Sequence, residues 1–210
     1  MVAREYTRDS ADIPCDKRYE DWTRAWWHWV LQININDSPA IGNDDTGRRT
    51  SRDQGEYPDD FDRRTCRNKV WFLAGTTGGS AVRRSIVPSG RSILCPIYNC
   101  EACDLEFPET SEEDLFEIAT SDIRQVNVRS ADIDGFPLIG EQVQINAAFD
   151  LELQNDNILG VSPGQTRIVS DGFWIFIYPL ERGDHRLHIR GASPFFDNEV
   201  TYYLSVLGGK

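Results

Sequence analysis

The chain has 210 residues, and its 22 lysines and arginines against 34 aspartates and glutamates give a formal net charge of −12. This balance argues against nucleic acid or an anionic membrane as the main partner, because phosphate groups are bound by basic surfaces. No apolar run approaches the roughly 18 residues of a membrane span, and residues 1–5 lack the apolar stretch of a signal peptide. We therefore expect a soluble, acidic globular protein without membrane insertion, long enough to bury its own core.

Lysine is rare: apart from Lys17, Lys69 and Lys210, every basic residue is an arginine. Many acidic residues with few lysines are typical of proteins that work in strong salt, where screening makes a large net charge tolerable. A GC-rich genome, which favours arginine codons, would give the same bias. A melting temperature that does not rise between low and molar salt would exclude a halophile.

Five cysteines stand at positions 15, 66, 95, 100 and 103. The last three form a C-x4-C-x2-C pattern that resembles half of a zinc site, but a structural zinc needs four ligands, and Cys66 or a histidine would have to supply the fourth. The other interpretations are a disulfide within this cluster or to Cys66, and reduced buried thiols. We expect no metal site, and the disulfide candidates are Cys66, Cys95, Cys100 and Cys103.

The N-terminal part predicts a polar arm over residues 1–18, followed by a helix that begins at Tyr19. Apolar side chains recur at steps of three and four and would share one helix face: Tyr19, Trp22, Trp26, Trp29, Val30 and Ile33. Four tryptophans within eight residues could also form a platform on which sugars stack. The helical spacing favours instead an aromatic face packed on a sheet.

Residues 34–68 are rich in Asn, Asp, Gly, Pro and Arg, which predicts a long polar surface loop within a single domain at 19–210. The acidic run at 43–47 could bind calcium through carboxylate oxygens, but it lacks the alternation and the closing glutamate of an EF-hand loop. We therefore interpret it as a turn stabilised by its Asp and Asn side chains.

From residue 70 the pattern is typical of strands, with one further short helix. The apolar run at 70–74 is closed by glycines at 75–79, which lack the lysine of a phosphate-binding loop and predict a turn. Ser111 followed by Asp114 is a variant of the capping box and predicts a helix that fades by about residue 125. Its buried stripe would consist of Leu115, Ile118 and Ala119.

The C-terminal half predicts strands throughout. Apolar and polar residues alternate over 143–154, so one face of that strand should be buried. Asp134-Gly135 predicts a hairpin turn, and 173–178 is apolar at every position, as in a central strand covered on both faces. Alternation returns at 186–190 and 200–206. These strands predict a mainly β fold, a two-sheet antiparallel sandwich of jelly-roll or Ig-like type with an N-terminal Trp-rich helix and one further short helix.

No residue set predicts a catalytic centre. Of the three histidines, His28, His185 and His188, the last two would point to opposite faces of one strand and could not share a metal. Asp171 is the first candidate for a carboxyl group with a raised pKa, although an Asp-Gly pair at a strand entrance is typical of a turn. The motifs of zinc proteases, nucleophile elbows and dinucleotide sites are absent. We expect no catalytic, cofactor-binding or metal-binding residue, and no cofactor.

Five motifs occur in order along the chain: Val70-Trp71-Phe72-Leu73-Ala74-Gly75-Thr76 with Gly78-Gly79, Val87-Pro88-x-Gly90, Ser170-Asp171-Gly172-Phe173-Trp174, Pro179-Leu180-x-x-Gly183-x-His185, and Glu199-Val200-Thr201-Tyr202. Together they resemble a family of uncharacterised microbial proteins, often exported, which carry a Trp-rich segment ahead of the first motif. The resemblance covers residues 20–206 and implies no activity. The chain departs from the family at Ser85, where such proteins tend to have a cysteine, and in lacking an export signal.

We expect a non-enzymatic structural or interaction protein, displayed on an extracellular cell surface or assembled into a particle such as a virion. Its partners would be other protein subunits, in a homo-oligomer or a larger assembly, and not nucleic acid. The alternative is a carbohydrate-binding module or glycan hydrolase, which exposed tryptophans would support. An open groove lined by indoles beside a pair of dehydrated carboxyl groups would contradict the non-enzymatic interpretation.

Overall fold

The computed structural model describes residues 6–41, 66 and 69–208, so the acidic run at 43–47 lies outside the described residues. The helices are α1 (Tyr19–Leu31) and α2 (Glu112–Ile123), with short 3₁₀ turns at Pro14–Asp16 and Ile35–Asp37. No helix within these ranges has the length and apolar character needed to cross a membrane. The strands are β1 (Val70–Phe72), β2 (Gly79–Pro88), β3 (Ser92–Cys103), β4 (Val128–Ile133), β5 (Phe136–Pro137), β6 (Glu141–Leu153), β7 (Gly164–Ile177), β8 (Gly183–Ala192) and β9 (Asp197–Leu207).

The strands form two sheets, and both are mixed. The first sheet has the order β1-β3-β7-β6 and the second the order β2-β9-β8-β4-β5. The pairs β1–β3 and β2–β9 are parallel and the others antiparallel, so the prediction of purely antiparallel sheets is wrong. The reason is that β1 and β2, although consecutive, belong to different sheets and do not form a hairpin. The predicted mainly β fold with two sheets, a Trp-rich N-terminal helix and one further helix is confirmed.

Three layers result: α1, the first sheet and the second sheet. Alternate residues of the first sheet face α1, as Phe72 and Trp174 do, or face the second sheet, as Ile93 and Ile175 do. The second sheet contributes inward-facing residues such as Leu204 to this shared core. Because the first sheet is covered on both faces, its central strand β7 is buried at every position from 168 to 177, as the all-apolar run predicted.

Helix α1 is held to the first sheet by its aromatic face. The Asp21 carboxylate accepts a hydrogen bond from the Arg18 backbone N–H at 2.9 Å, which closes the first turn. The indole N–H of Trp26 donates to the Leu73 carbonyl at 2.8 Å, and that of Trp27 donates to the Ser170 hydroxyl at 2.7 Å. The prediction of an aromatic face packed on a sheet is confirmed.

Helix α2 begins where its cap predicts, since the Ser111 hydroxyl accepts from the Asp114 backbone N–H at 3.1 Å. Its buried residues are Leu115, Ala119, Thr120 and Ile123. Ile118 is exposed, so its placement in the buried stripe was wrong. The helix contacts β3 and β7. Residues spaced by four from Leu115 lie on the same side of the helix, and Ile118 is not one of them.

Two turns or irregularities fix the strand registers. Asp134 and Gly135 both have positive φ and join β4 to β5, which confirms the predicted hairpin turn. In β6 the register shifts between Ile145 and Phe149, and Ala147 is exposed although the alternation predicted it to face inward. Three residues of β6, 146–148, lie opposite the single residue 169 of β7, and Ala147 within this bulge departs from the alternation, whereas Ile145 and Phe149 on either side of it are both buried.

Candidate functional site

The two C-terminal histidines have separate acidic partners. The His185 Nδ1 atom lies 2.7 Å from an Asp134 carboxylate oxygen and its Nε2 atom lies 3.0 Å from the Glu181 carbonyl. Burial alone would lower the pKa of His185, but these hydrogen bonds raise it above its ordinary value. His188 instead pairs with Glu199 at 2.8 Å. The structure therefore does not bring the two histidines together.

Asp171 lies inside β7 and not in a turn, so the turn interpretation was wrong. It pairs across the sheet with Cys100 on one side and Gln144 on the other. Its buried carboxylate accepts hydrogen bonds from the side-chain amides of Gln142, at 3.0 and 3.1 Å, and of Gln144, at 3.0 Å. These hydrogen bonds satisfy the buried carboxylate. Because both glutamines lie on β6, the same bonds connect β6 to β7.

All five cysteines are free thiols, and three of the four disulfide candidates lie on β3. Cys95 lies between the sheets, Cys100 lies 4.0 Å from Asp122 of α2, and Cys103 lies in the α1-side core. Residues three apart on a strand take opposite faces, so Cys100 and Cys103 do not converge on a zinc ion. Burial raises the pKa of Cys100 to about 12 and that of Cys103 to about 11, which keeps both thiols protonated.

Cys66, the fourth disulfide candidate, is buried in the core beside α1. Its nearest thiol is that of Cys15, which packs against the same cluster. Burial, together with the hydrogen bond between the two thiols, raises the pKa of Cys15 to about 12. The sequence did not identify Cys15 as a candidate, because the contact depends on how the N-terminal arm folds back onto α1.

A cavity of about 310 Å³ opens beside the C-terminal half of α1. We call it the α1 cavity and define it by six of its lining residues: Trp26, Trp27, Asn99, Glu101, Ile158 and Leu159. Two buried polar atoms of this lining, Asn99 Nδ2 and Glu101 Oε2, have no hydrogen-bond partner within the described ranges. The cavity therefore combines an apolar wall with unsatisfied polar groups, as small-molecule sites do.

Glu101 forms a pair with Glu106. Burial, with the charge and the hydrogen bond of Glu106, raises the pKa of Glu101 well above its ordinary value of 4.5. The Cys103 thiol donates to Glu106 at 3.4 Å, and the ligand atoms of all three side chains lie within 4.8 Å of one another. The two carboxyl groups share a hydrogen bond and so are closer than the about 5 Å that separates the pair of a retaining glycosidase.

This pair was not among the predicted site residues. The signal for it in the sequence is that the polar residues Asn99 and Glu101 alternate with Cys100 and Ala102 where β3 continues beyond Tyr98. The indoles that could have formed a sugar platform are buried: Trp26 is 3% and Trp27 7% exposed, and the other four tryptophans are at most 5% exposed. Burial removes the main argument for a carbohydrate-binding platform. Trp26 and Trp27 do line a cavity beside the Glu101–Glu106 pair, which is part of the arrangement that would contradict the non-enzymatic interpretation. The other part, an open groove lined by indoles, is not met by these two buried side chains.

The raised pKa of Glu101 predicts how stability depends on pH. The folded protein keeps a proton that the unfolded chain releases above about pH 4.5, so the free energy of unfolding should fall as the pH rises from there toward the native pKa. Glu101→Gln should flatten this decline and be more stable than the parent at pH 8 by about 1 kcal/mol or more. Urea unfolding of the parent and of Glu101→Gln at pH 4.5 and pH 8 measures the two free energies of unfolding. Glu113→Gln, on the exposed side of α2, is the control, and equal slopes for parent and Glu101→Gln would contradict the prediction.

The second candidate feature is an apolar band on the outer face of the second sheet. Four large exposed apolar side chains lie there, Val82 and Ile86 on β2 and Tyr203 and Leu207 on β9. The parallel register places Arg84 opposite Tyr203, with its guanidinium carbon 5.7 Å from the ring centre. We call this band the β2–β9 face. A groove of about 550 Å³ beside it is lined by residues that include Arg84, Asp134, His185, Arg186 and Tyr203.

Strand β2 is also an edge. Its ten residues pair with β9 on one side, and no strand within the described ranges pairs with the other side. On its outer face this strand carries Val82 and Ile86, whose side chains are both exposed.

Comparisons with known proteins identify no family for this chain. No family model matches the sequence, and no curated protein matches it. Two solved structures are similar in part. "Solution Structure of Amebosin" has 12% identity, a TM-score of 0.24, and coverage of 66% of this chain and 98% of its own. "Structure of PbICP-C in complex with falcipain-2" has 11% identity, a TM-score of 0.27, and coverage of 66% and 99%. TM-scores this low support no argument about fold or function.

Proposed function

We propose that the protein is a non-enzymatic interaction module that assembles with further copies of itself through the β2–β9 face. In this proposal the two sheets form a sandwich of Ig-like or jelly-roll type, and the assembly is displayed on a cell surface or built into a particle such as a virion. The observation that carries the proposal is the apolar band of four large exposed side chains on the β2–β9 face, since exposed apolar patches of this kind mark protein contacts.

A second copy is the partner that fits this surface best. Two copies of this face can pack against one another across a two-fold axis, which brings Val82 and Ile86 of each copy against the apolar band of the other. In the groove beside the face, Arg84 and Arg186 are balanced by Asp134 and Asp184, so this surface is less negative than the chain as a whole. Burial of the isoleucine and valine side chains supplies apolar contact area.

Net charge makes this association dependent on salt. Each copy carries −12, so two copies repel one another at low ionic strength. Salt shortens the range of this repulsion to about 8 Å at 0.15 M and about 3 Å at 1 M. We therefore expect association to strengthen with added salt, opposite to the behaviour of contacts held by ion pairs.

The test is the mass of the purified chain in solution at micromolar concentration, measured by sedimentation in low and in molar salt. We expect a dimer or larger species whose fraction rises with salt. Ile86→Asp should shift the population to monomer, because a carboxylate would be buried without a partner. Ile139→Asp is the matched control, since Ile86 and Ile139 are 52% and 53% exposed and Ile139 lies outside the β2–β9 face.

Two outcomes would contradict the proposal. The first is a monomer at every salt concentration, with no larger assembly formed. The second is association that Ile86→Asp and Ile139→Asp weaken equally, because the β2–β9 face would then have no particular part in it.

A further inference from the structure

The α1 cavity contains polar groups that have no hydrogen-bond partner within the described residues. Asn99 Nδ2 is a donor without an acceptor, and Glu101 Oε2 is a carboxyl oxygen without a donor, both within the described part of the chain. The Trp174 indole N–H is also buried and has no hydrogen-bond partner within the described ranges. The position that a Cβ atom on Gly172 would occupy lies 2.7 Å from Asn99 Cβ and 2.9 Å from this indole nitrogen, so the groups converge. Buried polar groups without partners are costly, and a ligand can satisfy them.

The chemistry around these groups selects the ligand. Two carboxyl groups, those of Glu101 and Glu106, share one hydrogen-bonded site, and the ionised form of Glu101 is disfavoured by burial and by its neighbour. A cation placed at Glu101 Oε2 would supply the missing opposite charge. The walls, formed by Trp26, Trp27 and aliphatic side chains, suit the alkyl groups of an organic cation, and indoles attract cations through their π-electrons.

We propose that the α1 cavity binds a small organic ammonium ion that also carries a hydroxyl group, with its ammonium group at Glu101 and its hydroxyl oxygen accepting from Asn99. A volume of about 310 Å³ accommodates a molecule of this size and excludes large ligands. The site is separate from the β2–β9 face, so the two proposals can fail independently.

A metal ion fits the same group of side chains less well. Glu101, Cys103 and Glu106 supply three ligand atoms, whereas calcium takes six to eight oxygen ligands and structural zinc takes four. The Cys103 thiol is held protonated and donates to Glu106, so it would have to lose its proton to bind zinc. The larger part of the cavity wall is apolar and gives a bare metal ion no contacts.

The test compares choline with 3,3-dimethylbutan-1-ol, which has the same shape and no charge. Each is titrated into the full chain at pH 7 while the indole N–H signals are followed by NMR. We expect choline to shift indole signals of Trp26, Trp27 or Trp174 in a saturable way, and to bind at least about tenfold more tightly than the neutral alcohol. The chloride salts of calcium and zinc are titrated separately as metal-only probes.

Variants link the effect to the proposed contacts. Glu101→Gln should bind choline more weakly than the parent does and should prefer choline over the neutral alcohol by a smaller factor, while Glu113→Gln should behave as the parent. Far-UV circular dichroism confirms that each variant is folded, and the chemical shifts of signals far from the cavity provide a second check. The proposal is overturned by no saturable shift with choline, by equal binding of choline and the alcohol to the parent, by unchanged choline binding in Glu101→Gln, or by metal-only probes that saturate the same signals while choline does not.

Discussion

Trp22→Ala is expected to cost about 3–5 kcal/mol of the free energy of unfolding, as truncation of a fully buried tryptophan usually does. The Trp22 ring is completely buried and meets Phe72 and Phe176 edge to face, with ring centres 6.2 and 6.3 Å away. Its indole N–H donates to the Pro14 carbonyl at 3.1 Å and so joins α1 to the N-terminal arm. Urea unfolding followed by far-UV circular dichroism measures the loss.

Trp22→Phe is the matched control for this variant. It keeps an aromatic ring between α1 and the first sheet and removes the hydrogen bond to Pro14. We expect it to lose clearly less stability than Trp22→Ala, because most of the buried apolar area is retained. A loss below about 1 kcal/mol for Trp22→Ala would show that α1 does not depend on this side chain for its attachment.

Gly191→Ala should destabilise the contact between the two sheets. A Cβ atom at this position of β8 would lie 2.4 Å from the Ile97 carbonyl oxygen and 2.8 Å from Tyr98 Cβ, both on β3 of the facing sheet. These atoms belong to or adjoin the backbone and cannot rotate away, so the sheets would have to separate. We expect a loss of about 3 kcal/mol, the upper end of the usual cost of overpacking. Thermal and urea unfolding measure it.

Gly75→Ala provides the comparison. There the nearest atom to a Cβ would be Asn198 Oδ1, at 3.2 Å, so a displacement of a few tenths of an ångström relieves the contact. The Asn198 side chain is held by hydrogen bonds to Thr76 and to the Ile97 carbonyl, so we expect a loss of about 1 kcal/mol, at the lower end of the usual cost of overpacking. If the two variants lost the same stability, close approach of the sheets at Gly191 would not be the cause.

Local patterns predicted the elements well where a single face of an element is buried. The steps of three and four from Tyr19 gave α1, the Ser111 cap gave the start of α2, and the Asp134-Gly135 pair gave the turn between β4 and β5. Each of these three features depends on contacts between residues that are close in the chain, so it can be predicted from the sequence. Ile118 and Ala147 were misplaced because the line of contact on a helix and an irregularity in a strand are set by the neighbouring element.

The candidate sites could be predicted only in part. The abundance of acids and tryptophans was evident, but which of them meet was not, because Glu101 and Trp27 are distant in sequence and meet only when β3 lies beneath α1. Asp171 was predicted to be a turn residue. The prediction was wrong because the two glutamine side chains that hold its buried carboxylate come from another strand. Long-range partners of this kind decide whether a polar residue ends a strand or lies within it.

The helices, most strands and the aromatic face of α1 could be predicted from the sequence, because periodicity and capping depend on residues that are neighbours in the chain. The tertiary structure alone decided that β1 and β2 join opposite sheets in parallel with their partners, that the β2–β9 face is exposed, and that Glu101 and Glu106 share a site. The physical reason is that strand pairing and burial depend on contacts between residues far apart in the chain, and free energy is gained from such contacts only when the whole fold brings them together.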